Sequence, residues 1–124
     1  MTELYQTADF KTEKHVPVIE IVKEGDLFKA IISVGKEIAH PNTTEHHIRW
    51  IDLIFWPDGE KFPYEIGKVE FLAHGESTQG PNTSTVFTHH SSMFAFKTEK
   101  PGTLIATSLC NIHGLWKNEI QLKV

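Results

Sequence analysis

One cysteine, Cys110, is present in 124 residues, so no disulfide can form within the chain. A solitary thiol suits a reducing compartment. No apolar run approaches the roughly 20 residues that cross a bilayer as a helix. The opening residues, Met1 to Thr7, carry neither the basic nor the apolar segment of a secretory leader, so a cytoplasmic location is expected. An excess of basic charge is also missing. Twelve Lys and Arg stand against sixteen Asp and Glu, a formal net charge of −4, and the cations are scattered. Such a balance argues against a nucleic-acid partner. No repeat, linker or low-complexity segment interrupts the chain. Its length suits one domain, residues 1–124, around one core.

What is present is β periodicity. Residues 16–22 are rich in β-branched side chains and 27–34 form a second apolar run, with a turn at Glu24-Gly25-Asp26 between them. Residues 48–56 end at Trp56-Pro57-Asp58-Gly59, a strong turn signal. Residues 66–73 and 119–124 alternate apolar with charged or polar residues, and short strands are expected at 85–88, 93–98 and 103–109. About seven short strands without an amphipathic helix predict an all-β chain, an antiparallel β-sandwich. In the 48–56 strand, Ile51, Leu53 and Phe55 share one face, and Trp50, Ile54 and Trp56 share the other. One sandwich core cannot use both faces, so the tryptophan face is expected at a subunit interface.

Eight histidines are the compositional oddity. Cys110 and His113 form a C-x-x-H pair, a spacing that lets thiolate and imidazole reach one metal ion. Gly114 follows, and glycine accepts the positive φ of a tight ligand loop. Leu109, Ile112, Leu115 and Trp116 flank the pair and are expected to shield a metal–sulfur bond from water. Alone, Cys110 reads as a small buried hydrophobe. His15 precedes the first strand, and His40 and His46 lie on an inter-strand loop bent by Pro41 and Asn42. Each alone reads as a solvated loop histidine. Together, four imidazoles and one thiolate suit a first-row transition metal. Zinc normally stops at four ligands. A blue-copper site needs a weak axial methionine, and none follows Cys110. Five strong donors fit a square pyramid around iron with one position open. Spacing alone does not bring the three loops together. His47 reads as pointing away from the ligands, His74 as a structural hydrogen-bonding residue, and His89 and His90 as a surface pair.

The segments Glu13-Lys14-His15-Val16-Pro17, Gly35-Lys36-Glu37-Ile38, His40 to Ile48, Ala73 to Ser77, Gly80-Pro81-Asn82 and Cys110 to Trp116 resemble the superoxide reductases, and most closely the one-iron type, the neelaredoxins. The resemblance spans nearly the whole chain in the same order. It implies an immunoglobulin-like sandwich with one non-haem iron, held by His15, His40, His46 and His113 around the plane and by Cys110 on the axis. It also implies a homotetramer, with electrons from a small donor such as rubredoxin. The chain departs from the family pattern at Ala39, where proline is usual, at Leu109, where an aromatic is common, and at Thr88-His89-His90, which replaces a Thr-Glu-Pro stretch.

The activity implied is one-electron reduction of superoxide to hydrogen peroxide. Charge donated by the Cys110 thiolate would favour product release. Lys14 is the best candidate for attracting the anion and steering protons, and Glu13 for occupying the sixth position of oxidised iron. In a regular strand their side chains would diverge, so an irregular, movable segment is expected. Two alternatives stay open: dismutation, which evolves oxygen without a donor, and a non-catalytic metal-binding or electron-carrying sandwich.

Overall fold

A computed structural model describes residues 3–124. Seven strands run in the order β1 (Pro17–Glu24), β2 (Leu27–Val34), β3 (Ile48–Pro57), β4 (Tyr64–Glu70), β5 (Ser91–Phe96), β6 (Gly102–Cys110) and β7 (Gly114–Leu122). They form two antiparallel sheets, β1-β2-β5 and β4-β3-β6-β7, and no helix occurs among the described residues. The fold is therefore the antiparallel sandwich expected from the alternation.

Period-2 patterning sets which faces meet. In β2, Phe28, Ala30, Ile32 and Val34 are buried while the residues between them are half-buried. In β3, Ile51, Leu53 and Phe55 face the core beside Leu104 and Ala106 of β6. A register shift between Ile48 and Trp50 lets Arg49 bulge outward, so Ile48 and Ile51 both turn inward though three residues apart. Trp50, Ile54 and Trp56 lie on the opposite face, and Lys68 Nζ stands 4.5 Å over the Trp50 ring.

Three strand expectations change. Residues 85–88 form no strand; only an isolated bridge joins Phe87 to His74. The fourth strand ends at Glu70, after which Phe71 turns into the core and its N–H bonds the Arg49 carbonyl at 2.8 Å. The last strand begins at Gly114 rather than near 119, because β6 and β7 form a hairpin closed by the pair Cys110 and Gly114. Gly114 has φ 82°, which relieves the steric penalty at the tight turn. The Cys110–His113 pair thus sits in a hairpin turn.

Register converts topology into a site. Pro17 at the start of β1 pairs with Val34 at the end of β2, and Ile48 at the start of β3 pairs with Cys110 at the end of β6. His15, the 35–47 loop and the Cys110–Gly114 turn therefore emerge at one end of the sandwich.

Candidate metal centre

Ligand atoms of His15, His40, His46 and Cys110 lie within 4.8 Å of one another. His113 completes the group: its Nδ1 is 3.1 Å from His15 Nε2 and 3.8 Å from Cys110 Sγ. Three separate loops do converge. His15, His40 and Cys110 are buried, His46 is half-buried and His113 is exposed, so the group opens to solvent on the His113 side.

Local bonds fix how each ring is presented. His40 Nδ1–H donates to the Pro41 carbonyl at 2.6 Å, which leaves Nε2 facing inward. The 35–40 loop fits because residue 35 is glycine: a Cβ there would lie 2.5 Å from the His40 backbone nitrogen. His15 Nδ1–H donates to Glu13 Oε1 at 2.5 Å, and the same oxygen accepts the His15 backbone N–H at 3.0 Å. Trp116 stacks on His15 with centroids 4.9 Å apart, and its Nε1–H donates to the His113 carbonyl at 3.2 Å. The His113 backbone N–H points at Cys110 Sγ from 3.4 Å.

The 41–47 loop is latched by Asn82, whose Nδ2 donates to both Glu45 oxygens, at 2.9 and 2.8 Å, and whose Oδ1 accepts the Thr44 N–H at 2.8 Å. Asn82 itself adopts φ 57°, a left-handed conformation that asparagine tolerates. Gly80-Pro81-Asn82 is one of the segments that carry the resemblance, but no local pattern marks Asn82 as the latch of a loop that ends 35 residues upstream.

Electrostatics favours neutral imidazoles. Burial pushes His40 down to about 3, and burial likewise lowers His15 and His46, against the raising pull of Glu13 on His15. Burial raises the Glu13 carboxyl, but its bonds to the His15 ring and amide prevail and hold it below the ordinary range. The Lys14 charge adds a lesser lowering to both His15 and His46.

The chemistry of the donor set fits a metal ion. His40 Nε2 and His46 Nε2 are buried and have no hydrogen-bond partner. An unpaired buried nitrogen costs about 1–3 kcal/mol, and two of them beside a thiol and two more imidazoles are satisfied together by one cation. Metal binding needs neutral imidazole and thiolate, and burial already favours the neutral form of His15, His40 and His46.

Several sequence expectations need correction. Ile112 is 59% exposed and shields nothing, and half-buried Leu109 and Leu115 pair with each other, Leu109 also with Trp50 of the outer face, so the apolar contact seen with the group is that of Trp116 on His15. His90 is not at the surface: it is buried, with its ring 5.9 Å from His40 and edge-on, while His89 stays exposed. His47 is buried, stacked on His74 at 3.5 Å, and His74 bonds the Phe71 carbonyl at 2.6 Å, the structural role expected of it.

The desulfoferrodoxin family matches residues 7–119. The superoxide reductase of Pyrococcus furiosus is 58% identical over 123 residues, covering 99% of each chain. The neelaredoxin of Megalodesulfovibrio gigas is 56% identical over 121 residues, covering 95% of this chain and 93% of its own. Among solved structures, the superoxide reductase (neelaredoxin) from Archaeoglobus fulgidus in the reduced form superposes with a TM-score of 0.96 at 61% identity, over 98% of this chain and 100% of that one. With sequence, fold and a converged histidine–cysteine group in agreement, the chain belongs to the desulfoferrodoxin family, alongside the superoxide reductases and neelaredoxin.

Proposed function

We propose that the protein is a superoxide reductase, a single domain whose iron is held by His15, His40, His46, His113 and Cys110. The observation that carries this assignment is the pair of buried, unpartnered Nε2 atoms of His40 and His46 beside the only thiol. Ferrous iron bound there would supply the one electron that, with two protons, converts superoxide to hydrogen peroxide.

The chain's own groups do the rest. Glu13 holds the Nδ1 proton of His15, which directs Nε2 inward. The Pro41 carbonyl does the same for His40. Cys110 would hold the iron as a thiolate and lend it charge, and the His113 N–H, 3.4 Å from that sulfur, would temper the donation. Lys14 raises the local concentration of the superoxide anion at the open side. Glu13, half-buried two residues before His15, is the residue we assign to the remaining position of oxidised iron, which it would take by releasing the His15 ring and amide.

We also assign a homotetramer, a small external donor such as rubredoxin, and a cytoplasmic site of action. Trp56, 43% exposed beside half-buried Trp50 and Ile54, supports assembly through the outer face of the four-stranded sheet. No helix among the described residues is long and apolar enough to cross a membrane.

The test is stoichiometry. With an artificial electron donor, each superoxide consumed should yield one hydrogen peroxide and no oxygen. Oxygen evolution without a donor would instead identify a dismutase, and unchanged superoxide decay would leave a non-catalytic metal protein.

A further inference from the structure

Asn111 lies between Cys110 and His113 in the β6–β7 turn, and its side chain reaches across to the loop that carries His46. Nδ2 donates to the Glu45 carbonyl at 2.8 Å, and Oδ1 accepts the His47 backbone N–H at 2.9 Å. The Asn111 backbone N–H adds a bond to the His47 carbonyl at 3.2 Å. Three bonds from the residue after Cys110 thus grip the residues on either side of His46. Both ends of the carboxamide are used. Aspartate would keep the acceptor and lose the donor, and an aliphatic side chain would lose both. The backbone bond survives any substitution that keeps the turn, so the contribution of the side chain can be isolated. The same turn aims the His113 N–H at Cys110 Sγ.

We infer that Asn111 is a positioning residue of the metal centre: it sets the His46 imidazole against the Cys110 thiolate and holds the turn in which the His113 amide meets the sulfur. This rests on the metal-centre assignment above. Asn111 touches neither metal nor substrate, and it acts through the two loops it joins. Partners of this kind, which orient ligands from behind, typically change metal affinity by about 10–100-fold when removed. Displacing the amide from the sulfur also changes the charge that the thiolate can donate, and so the energy of any sulfur-to-metal absorption.

Asn111→Asp keeps the side-chain size and the acceptor oxygen but sets a carboxylate oxygen against the Glu45 carbonyl. Asn111→Ala removes both side-chain bonds. The readouts are Fe2+ affinity by chelator competition, the visible band of the oxidised iron protein, and circular dichroism with thermal melting. Both variants should bind Fe2+ about 10–100-fold more weakly and show a displaced band, with Asn111→Asp still folded. Wild-type affinity and band position in folded Asn111→Asp would overturn the inference. Failure of both variants to fold would overturn it too, by assigning Asn111 to the fold instead of the centre. A wild-type protein without a sulfur-to-iron band would overturn the metal-centre assignment itself.

Discussion

Two groups of buried histidines in this molecule differ in how their ring nitrogens are used. His47 and His74 stack with rings 3.5 Å apart and 8° from parallel. Neither ring has a buried nitrogen left without a partner: His74 Nε2–H bonds the Phe71 carbonyl at 2.6 Å with Nδ1 3.4 Å from Asn42 Oδ1, and His47 Nδ1–H bonds the Thr43 carbonyl at 2.9 Å. His40 is as buried, yet ties down only Nδ1, to Pro41, and leaves Nε2 buried without a partner, while His15 gives Nδ1 to Glu13 and turns Nε2 to within 3.1 Å of His113 Nδ1. Burial does not separate a ligand from a structural histidine. A buried nitrogen without a partner does, provided other donors converge on it. His90 shows why the proviso matters: its Nδ1 is buried and unpartnered, but it joins no group of three donors among the described residues.

The contrast breaks most sharply at Cys110. As the only thiol, it must be the source of any sulfur-to-iron colour. Cys110→Ser should lose the visible band of the oxidised protein and nearly all reductase activity, as read by spectroscopy and superoxide consumption. A variant that kept both would remove Cys110 from the centre.

The next largest effect separates the two residues ahead of His15. Lys14→Ala should slow the second-order encounter with superoxide and flatten its ionic-strength dependence, because less attraction is left for salt to screen. Glu13→Ala should leave that encounter nearly as fast while changing the final spectrum of the oxidised protein. Pulse radiolysis at two salt concentrations measures both. Equal slowing in the two variants would contradict the division of labour.

On the structural side, His74→Phe leaves the buried Phe71 carbonyl without its donor. The expected cost is about 1–3 kcal/mol in denaturant unfolding, with the visible band retained. Loss of the band along with stability would erase the distinction between the two groups.

The smallest effect is a pH dependence. Burial, with lesser contributions from His89 and His74, pushes His90 from 6.5 down to about 4. The native protein therefore binds this proton less readily than the unfolded chain does. The stability linked to neutral His90 is complete above 6.5 and is lost as pH falls toward about 4. His90→Phe should make the fall in unfolding free energy over that window shallower. An unchanged slope would mean that His90 does not contribute.

Much of this was legible in the residues themselves. The alternation in β2 and β3 gave the sandwich, and the motifs around His15, His40, His46 and Cys110 gave the donors. What stayed hidden depends on long-range register. The bulge at Arg49 breaks the period of β3 without a glycine or proline to mark it. Trp116 looks like one more apolar residue until the β6–β7 hairpin brings it onto His15. Thr88-His89-His90 reads as a polar surface stretch, yet the His90 carbonyl accepts the Val34 N–H at 3.1 Å and draws the ring in beside His40. Asn82 and Asn111 carry polar side chains whose partners sit 37 and 66 residues away at Glu45, beyond the reach of any local pattern.

The central claim is that five side chains from three loops close on one iron. X-ray absorption at the iron edge of the loaded protein tests it most directly. The account predicts one sulfur neighbour and four imidazole nitrogens at bonding distance, with the sulfur gone in Cys110→Ser. A wild-type spectrum with no sulfur neighbour, or with fewer imidazoles than the four assigned, would contradict it.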